Sequence, residues 1–279
     1  MTILTLHDKD GYKYFEEDNC RIAGKELADK YQNASPFPYI VMDDLLDKDV
    51  LRDVAANFPS LDGKSFFDRA QERFKFQFLP HEIPDGRTRN LLAELNSQAF
   101  LGFLEEMTGI SGLIPDPYFV GGGLHLTRRG GHLGVHADFN IHKRMQVERR
   151  LNLLIYLNDD WPDEYGGKLE LWDRAMTRCE RSVAPLMARA VVFSTNSDSF
   201  HGHPEPLSCP PERDRRSIAT YYYTARREGL EGTPKRTTTF QVRPGTHDAP
   251  DRRVKLNHFI QDWVPPRLQR FARRLNPFD

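Results

Sequence analysis

Apolar residues in the first third of the chain recur at helical spacing in two stretches. The first covers residues 44–59, where Asp44 can cap or precede a helix whose apolar side consists of Leu51, Val54 and Ala55. The second covers residues 89–109 and ends in Gly109, a residue suited to a helix C-terminus, with an apolar side of Leu91, Leu95, Phe100, Phe103 and Leu104. Both patterns predict helices that cover a sheet.

From about residue 117 the pattern changes to short apolar runs separated by glycine, proline and aspartate, which is typical of strands. Five runs are candidate strands: residues 118–127, 149–158, 167–173, 188–195 and 216–224. Between the second and third runs, residues 159–167 end in two glycines and can reverse the chain. Short strands at this spacing predict a barrel or a two-sheet sandwich.

These patterns divide the chain into three parts. Residues 1–114 are predicted to be a helical support region of the same domain as the strand-rich core, which covers residues 115–225. Residues 226–279 are rich in arginine and proline and form an excursion that ends in a helix or tail. In that helix, Leu268, Phe271 and Leu275 share one side, so we expect it to dock on the core rather than to contact an acidic partner.

Composition narrows the class of protein. Lys plus Arg (39) nearly balance Asp plus Glu (40) in the 279 residues, so charge gives no reason to expect nucleic acid or an anionic membrane as a partner. The cysteines Cys20, Cys179 and Cys209 are too few and too separated for a disulfide scaffold, which indicates a reducing compartment. Charges near the N-terminus interrupt any secretory signal, and no segment is apolar enough to cross a bilayer. We therefore expect a cytoplasmic location.

Residues 134–142, "GVHADFNIH", contain possible metal ligands. In an extended segment, side chains two apart project to the same face, so His136 and Asp138 can point at one ion. A second histidine would complete a two-histidine, one-carboxylate site that leaves coordination positions free on iron(II). His201 and His203 both qualify, and because they share a parity, strand alternation leaves the choice between them open.

Beyond these residues, the chain closely resembles the iron(II)- and 2-oxoglutarate-dependent dioxygenases, in the prolyl-4-hydroxylase-like branch. The resemblance is strong over about residues 115–225, and five segments carry it: "HLGVHADFN", "RRLNLLIYLNDDW", "YGGKLELWD", "VVFSTNSDSFHGHPEPL" and "RRSIATYYYT". Residues 35–59 look like the helical lead-in of that branch. The resemblance implies a mainly β fold with flanking helices around a double-stranded β-helix, the jelly roll or cupin-like core, with the metal at its mouth.

The resemblance also implies which residues hold the metal. The distal-histidine motif of the family matches "SFHG" and favours His201 over His203. The implied Fe(II) ligands, which are also the catalytic residues, are His136, Asp138 and His201. His132 and His142 are set aside as ligands and could instead contact substrate or lie on the loop surface.

A second family motif implies the binding site for 2-oxoglutarate. A basic, a small, an aliphatic and an aromatic residue follow one another in the frame of Arg215, Ser217, Ile218 and Tyr221, and Arg216 is the rival anchor. Together with Arg215, the implied co-substrate residues are Tyr156, Asn152 and Ser217. The chain departs from the family at Leu126, where relatives often have a tyrosine and where His125 is the neighbour, and by a longer segment between His201 and Arg215.

The implied activity is hydroxylation of an unactivated C–H bond, with Fe(II), 2-oxoglutarate and O₂ as cofactor and co-substrates, ascorbate as a supporting reductant, and succinate and CO₂ as co-products. The expected substrate is a prolyl or other residue in a peptide or protein, approached by Phe139 and Asn140, with residues 127–132 at the mouth. Alternatives are a small-molecule or sugar-linked substrate and a non-catalytic jelly roll that binds metal or ligand. A zinc hydrolase would need a general base such as Glu148 or Glu170.

Overall fold

The structure, a computed structural model, describes residues 2–61, 65–226 and 235–246, and the single residues 248, 256, 260 and 264. In the first two ranges, the helices α1 to α4 are Glu17–Gln32, Lys48–Ala56, Gly86–Glu94 and Gln98–Thr108. The strands β1 to β14 are Leu6–Lys9, Tyr12–Phe15, Tyr39–Met42, Ser65–Arg69, Glu72–Phe78, Ile114–Pro115, Gly123–Ala137, Glu148–Tyr156, Leu169–Trp172, Cys179–Val183, Ala190–Ser194, His201–His203, Arg215–Thr224 and Thr239–Phe240. The predicted C-terminal helix, with Leu268, Phe271 and Leu275, lies outside the described residues.

The strands form a nearly closed antiparallel jelly roll, which confirms the predicted fold class. One face follows the order β5, β7, β13, β8, β11, β3, and the other follows β10, β9, β12, β7, with β14 also paired to β7. Strand β7 joins the two faces because it is long: its first half pairs with β13 and β5, and its second half pairs with β12 and β14. The N-terminal strands β1 and β2 form a separate hairpin.

The predicted helices are confirmed, with corrections at their ends. The first predicted helix corresponds to α2. Its N-terminal cap is Asp47, whose carboxylate accepts a hydrogen bond from the Asp49 amide, whereas Asp44 lies before the helix. The second stretch is two helices, because the Ser97 hydroxyl caps a new helix start, and Gly109 ends α4 in the left-handed conformation as predicted. The apolar sides of these helices are buried in one core with the outer surface of the sheet.

The predicted strand over residues 118–127 is wrong at both ends. The strand begins at Gly123 and continues to Ala137, so residues 127–132 lie within β7, and Thr127 lines a cavity of the jelly roll. The apolar pattern ends early because Thr127 to Gly130 interrupt it, while hydrogen bonds from both sides hold the extended backbone. Residues 159–167 contain a short 3₁₀ turn, and because β8 and β9 are not paired, they carry the chain from one face of the jelly roll to the other.

Helix α1 packs against α4 at a glycine, and this contact gives a testable prediction. A Cβ atom at Gly24 would lie 2.3 Å from the carbonyl oxygen of Phe103. We expect Gly24→Ala to push the two helices apart and to lower the free energy of unfolding by about 1–3 kcal/mol, measured by urea denaturation. Gly86→Ala is the matched control, because its nearest neighbour is the flexible end of Arg89 at 3.7 Å. Equal stability of the two variants would contradict the prediction.

Candidate metal centre and co-substrate pocket

Strand pairing brings three predicted ligands together at one end of the jelly roll. His201, at the start of β12, pairs directly with His136, near the end of β7, and Asp138 follows β7 immediately. One donor atom from each of the three side chains lies within 4.8 Å of the other two. Among the described residues, this is the one group of three or more histidine, cysteine or acidic side chains that comes so close.

Backbone carbonyls orient both histidines. His136 Nδ1 lies 2.8 Å from the Gly134 carbonyl oxygen, and His201 Nδ1 lies 2.9 Å from that of Ser199. A proton on each Nδ1 satisfies these contacts and leaves each Nε2 with a lone pair. The two Nε2 atoms lie 3.6 and 3.4 Å from the carboxylate oxygens of Asp138. The lone pairs therefore face the carboxylate, as ligation of one ion requires.

His201 and Asp138 have the protonation states of metal ligands. Burial, with help from the neighbouring His136, lowers the pKa of His201 to about 4, so its imidazole is neutral near pH 7. Burial alone would raise the pKa of Asp138, but Arg149, His201 and His136 together hold it well below its usual range. A neutral imidazole and an ionised carboxylate are the forms that bind a divalent cation.

Arg149 is a part of the site that the sequence analysis missed. Its Nη2 lies 3.1 Å from Asp138 Oδ2, and the guanidinium is buried over the rings of Tyr221, at 3.6 Å, and Phe139, at 4.6 Å. Asn152 joins the same network, accepting from Arg149 Nη2 at 2.7 Å and donating to Asp138 Oδ2 at 2.8 Å. The family resemblance groups Asn152 with the co-substrate residues, whereas these hydrogen bonds place it beside Asp138.

Arg215 is a buried cation in the cavity that contains the three predicted ligands. Its Nε donates to the Gly167 carbonyl at 2.8 Å, and its guanidinium lies 5.0 Å from the centre of the Tyr156 ring. Within the described part of the chain, no carboxylate lies within ion-pair distance of Arg215, and burial lowers its pKa. Gly167 allows this close approach, because a Cβ there would lie 2.9 Å from Arg215 Cδ. A buried cation without a counter-ion is suited to binding an anion.

The other predicted co-substrate residues lie around Arg215 or on the opposite face of its strand. Ser217 is on the same face and pairs with Tyr156, whose buried hydroxyl has no hydrogen-bond acceptor among the described residues. Arg216 points away from the cavity, where Nη1 donates to the Ala55 carbonyl at 2.9 Å. Arg213 donates to the backbone carbonyls of residues 159 and 160. Strand alternation therefore places the two rival anchors on opposite faces of β13.

The remaining histidines are not part of the three-residue cluster. His203 lies beyond a register shift from His201 and pairs with Leu133. His132 Nε2 lies 3.1 Å from the Ala70 carbonyl. The ring of His142 is fully buried, with Nδ1 accepting from the Met145 amide and Nε2 lying 3.5 Å from Asp116.

The cavity that contains Arg215 and the His136, Asp138, His201 cluster has a volume of about 550 Å³ and is partly covered by residues distant in sequence. The β4–β5 hairpin contributes Phe67 and Lys75, and the segment 237–240 contributes Phe240, whose ring lies 5.4 Å from that of His136. Residues 237–240 reach the site through strand β14, which pairs with the end of β7.

The fold and the side chains of this cavity define the class of protein. Two imidazoles and a carboxylate suit iron(II) with open coordination positions, and a buried arginine in the same cavity suits the far carboxylate of a diacid. A jelly roll with these features could hold a mononuclear metal ion with a diacid beside it. Residues 122–223 match the family model of the 2OG-Fe(II) oxygenase superfamily. Over these residues the chain is similar to that superfamily, whose cofactor and co-substrates are Fe(II), 2-oxoglutarate and O₂.

Three proteins show what the chain is similar to in sequence or in fold. Over 238 residues the chain is 27% identical to a prolyl 3,4-dihydroxylase from Ostreococcus tauri, and the match covers 77% of this chain and 44% of that protein. A prolyl-4-hydroxylase structure from Pseudomonas putida matches with a TM-score of 0.51 at 16% identity, covering 73% of this chain and all of that one. A peptide-bound prolyl hydroxylase from Trichoplax adhaerens matches with a TM-score of 0.52 at 14% identity, covering 74% and 91%. The chain thus spans less than half the length of its curated relative, and the two structures show the shared fold.

Proposed function

We propose that the protein is an Fe(II)- and 2-oxoglutarate-dependent dioxygenase that hydroxylates a prolyl or other residue in a peptide or protein. The observation that carries the proposal is that the histidine and aspartate cluster shares one cavity with Arg215, which has no carboxylate partner among the described residues. Bound Fe(II) and 2-oxoglutarate would supply the oxidising chemistry with O₂, releasing succinate and CO₂ and leaving one oxygen atom on the substrate. The protein supplies geometry, charge and exclusion of water.

Each side chain of the site has a separate task in this proposal. His136, Asp138 and His201 hold the metal through two Nε2 atoms and one carboxylate. Asn152 and Arg149 fix the orientation of that carboxylate by hydrogen bonding and ion pairing to Oδ2. Contacts of this kind to a metal ligand typically change metal affinity or activity by about 10- to 100-fold when they are removed.

The far carboxylate of 2-oxoglutarate would lie against Arg215, Tyr156 and Ser217. A diacid neutralises the buried guanidinium and gives the Tyr156 hydroxyl the hydrogen-bond acceptor that it lacks in the described structure. Leu154, Leu169 and Phe193 also line this cavity. Apolar walls beside a charged end suit the methylene groups of 2-oxoglutarate and keep water from the reacting centre.

A protein substrate is favoured by the surface beyond the metal. A second cavity of about 560 Å³ shares Asp138, Phe139 and Arg149 with the first, and also includes Asn140. Much of its lining is polar, including Thr195, Asn196, Ser197 and Gln241. Polar side chains suit the amides of an extended polypeptide, and the relatives named above are prolyl hydroxylases. A small-molecule or sugar-linked substrate remains the alternative.

A zinc hydrolase and a jelly roll without catalytic activity receive less support from the structure. Glu170, one of the two candidates for the general base of a zinc hydrolase, accepts a hydrogen bond from Trp172 Nε1 at 2.8 Å on β9. A jelly roll that only binds ligand does not require both a metal cluster and a buried anion anchor. In the described residues, no helix is both long and apolar enough to cross a membrane. A cytoplasmic location and support by ascorbate remain predictions.

The proposal is tested by succinate formation and by the identity of the acceptor. We expect the protein with Fe(II), 2-oxoglutarate and air to form succinate faster when the protein fraction of a cell lysate is added than when its small-molecule fraction is added. Mass spectrometry should find one added oxygen on prolyl residues, and the His136→Ala variant is the blank. Stimulation by the small-molecule fraction alone would exclude a protein substrate, and no succinate under any condition would exclude the activity.

A further inference from the structure

Three buried polar groups near Arg215 are incompletely hydrogen-bonded within the described residues. His125 Nε2 and His203 Nδ1 have no partner there, and the Tyr156 hydroxyl, which interacts with the Arg215 guanidinium, has no acceptor for its own proton. Tyr156 lies beside the guanidinium, and both imidazoles are close enough for its charge to lower their pKa values. Because an unpaired buried polar atom is costly, this concentration indicates that a polar ligand completes the pocket.

The register of the sheet places His125 against the site of the co-substrate. Across four neighbouring strands, Tyr156, Ser217, His125 and Gln77 stand opposite one another in a row. Ser217, His125 and Gln77 all line the cavity, as does Arg215, which is two residues from Ser217 on the same face. By contrast, Leu126, where relatives often have a tyrosine, is buried in the core with the helices. His125 is the neighbour of Leu126 in β7, and its side chain faces the cavity.

The surroundings of His125 determine which form of the ring can bind an anion. The Gly121 carbonyl is close enough to act on the ring as an acceptor, and Nε2 has no partner among the described residues, so we assign the first ring proton to Nδ1. A neutral ring with its proton on Nδ1 presents only a lone pair at Nε2, which repels a carboxylate oxygen. An attractive contact with an anion therefore needs a second proton on the ring.

In the protein without ligand, the charges around His125 oppose that second proton. Burial, then Lys75, then Arg215 hold the pKa of His125 well below its usual range. Lys75 is itself paired with Glu72 at 2.9 Å, and His203 faces the same cavity. A bound dicarboxylate acts in the opposite direction, because it offsets the charge of Arg215 and brings a carboxylate towards the ring, which favours the protonated form.

We propose that His125 binds 2-oxoglutarate directly and takes up one proton when the co-substrate enters. The inference rests on the proposed function, since it requires 2-oxoglutarate to occupy the cavity between the metal and Arg215. The proton comes from solvent and goes to His125 Nε2, which then donates to a carboxylate oxygen while Nδ1 keeps its own proton. No electrons move and no covalent bond other than N–H is made. Binding is thereby coupled to pH at a residue outside the metal ligands.

The direction of the pH dependence of 2-oxoglutarate binding follows from the proton uptake by His125. A site that gains a proton on binding has higher affinity at lower pH, and the affinity falls as pH rises, by at most about tenfold per pH unit for one proton. Metal binding acts in the opposite direction, because protons compete with a metal ion for its ligands as pH falls. Comparing two variants that share those ligands removes their contribution.

The experiment is calorimetric titration of 2-oxoglutarate into the Mn(II)-loaded protein between pH 6 and 8, in pairs of buffers with different heats of ionisation. We expect the wild type to take up a substantial fraction of one proton and to lose affinity as pH rises. His125→Gln should bind more weakly at the lower pH values and show little uptake, so its affinity should change much less with pH. His81→Gln, at an exposed position, is the matched control and should behave as the wild type.

The possible outcomes separate this inference from the proposed function. If the wild type binds 2-oxoglutarate with the same uptake and pH dependence as His125→Gln, the role of His125 is wrong while the proposed function stands. If the wild type does not bind 2-oxoglutarate at all, the proposed function fails first. Thermal unfolding of each variant shows whether it is folded, and His125→Asn serves as the second variant if His125→Gln does not fold.

Discussion

Replacing His201 by alanine is expected to remove high-affinity metal binding and, with it, succinate formation. Two ligands would remain, and the loss of an inner ligand should exceed the 10- to 100-fold effect of removing outer contacts, so we expect a decrease of at least about 100-fold in metal affinity. His201 is also packed edge-on against Phe193, with ring centres 4.5 Å apart, so alanine leaves a small cavity. Metal affinity is measured by competition with a chelator, and turnover by succinate.

His203→Ala is the matched control for this prediction, because the two histidines belong to the same short strand and are both buried. The sequence allowed either to be the third ligand, whereas in the structure only His201 belongs to the cluster with His136 and Asp138. We therefore expect His203→Ala to keep metal affinity within a few fold of the wild type. Loss of metal binding in His203→Ala together with retention in His201→Ala would reverse the assignment.

The parts of the site that the sequence predicted depend on short-range patterns. His136 and Asp138 are two residues apart, and the alternation of side chains in an extended segment is enough to place them on one face. Arg215 and Arg216 differ by one position, so the same alternation sends one to the cavity and the other to the Ala55 carbonyl. Residue spacing of this kind is readable because strand geometry is nearly constant.

The parts that the sequence did not predict depend on pairing between distant segments. In the sequence, Arg149 is an arginine at the start of a predicted strand, with no pattern that marks it as part of the site. The fold places it against Asp138 and the Tyr221 ring. The segment around Phe240 has no periodic pattern, yet it pairs with His136 more than a hundred positions earlier. Such contacts arise from the closure of the sheet, which no local pattern of residues encodes.

Intermediate cases arise where local patterns are correct but incomplete. The resemblance implied that Asn152 and Tyr156, which are both on β8, bind the co-substrate, yet the Asn152 amide donates a hydrogen bond of 2.8 Å to Asp138. The apolar pattern also indicated an uninterrupted helical stretch before Gly109, but the hydroxyl of Ser97 starts a new helix within it. Side-chain hydrogen bonds decide both cases, and periodicity does not report them.

Replacing Arg215 by methionine is expected to weaken 2-oxoglutarate binding and, at the same time, to stabilise the ligand-free protein. The guanidinium is buried without a carboxylate partner among the described residues, so its removal eliminates a desolvation cost at the loss of one hydrogen bond to Gly167. We expect the free energy of unfolding to rise by about 1–3 kcal/mol. Loss of the charge that pairs with a buried carboxylate should weaken binding by about 3 kcal/mol, or more than about 100-fold.

Arg216→Met is the matched control, since it removes the adjacent arginine on the opposite face of β13. Arg216 contacts the Ala55 carbonyl and the Phe58 ring, with the guanidinium 4.9 Å from the ring centre, so its loss should destabilise the protein slightly and leave 2-oxoglutarate affinity unchanged. The pair is measured by urea denaturation and by calorimetric titration of the Mn(II)-loaded protein. An increase in stability together with a loss of binding in Arg215→Met would show that Arg215 serves ligand binding. Replacing a residue that serves the fold would instead lower the stability of the protein. A decrease in both quantities for Arg215→Met, or a loss of binding in Arg216→Met, would contradict the assignment of Arg215 as the anchor.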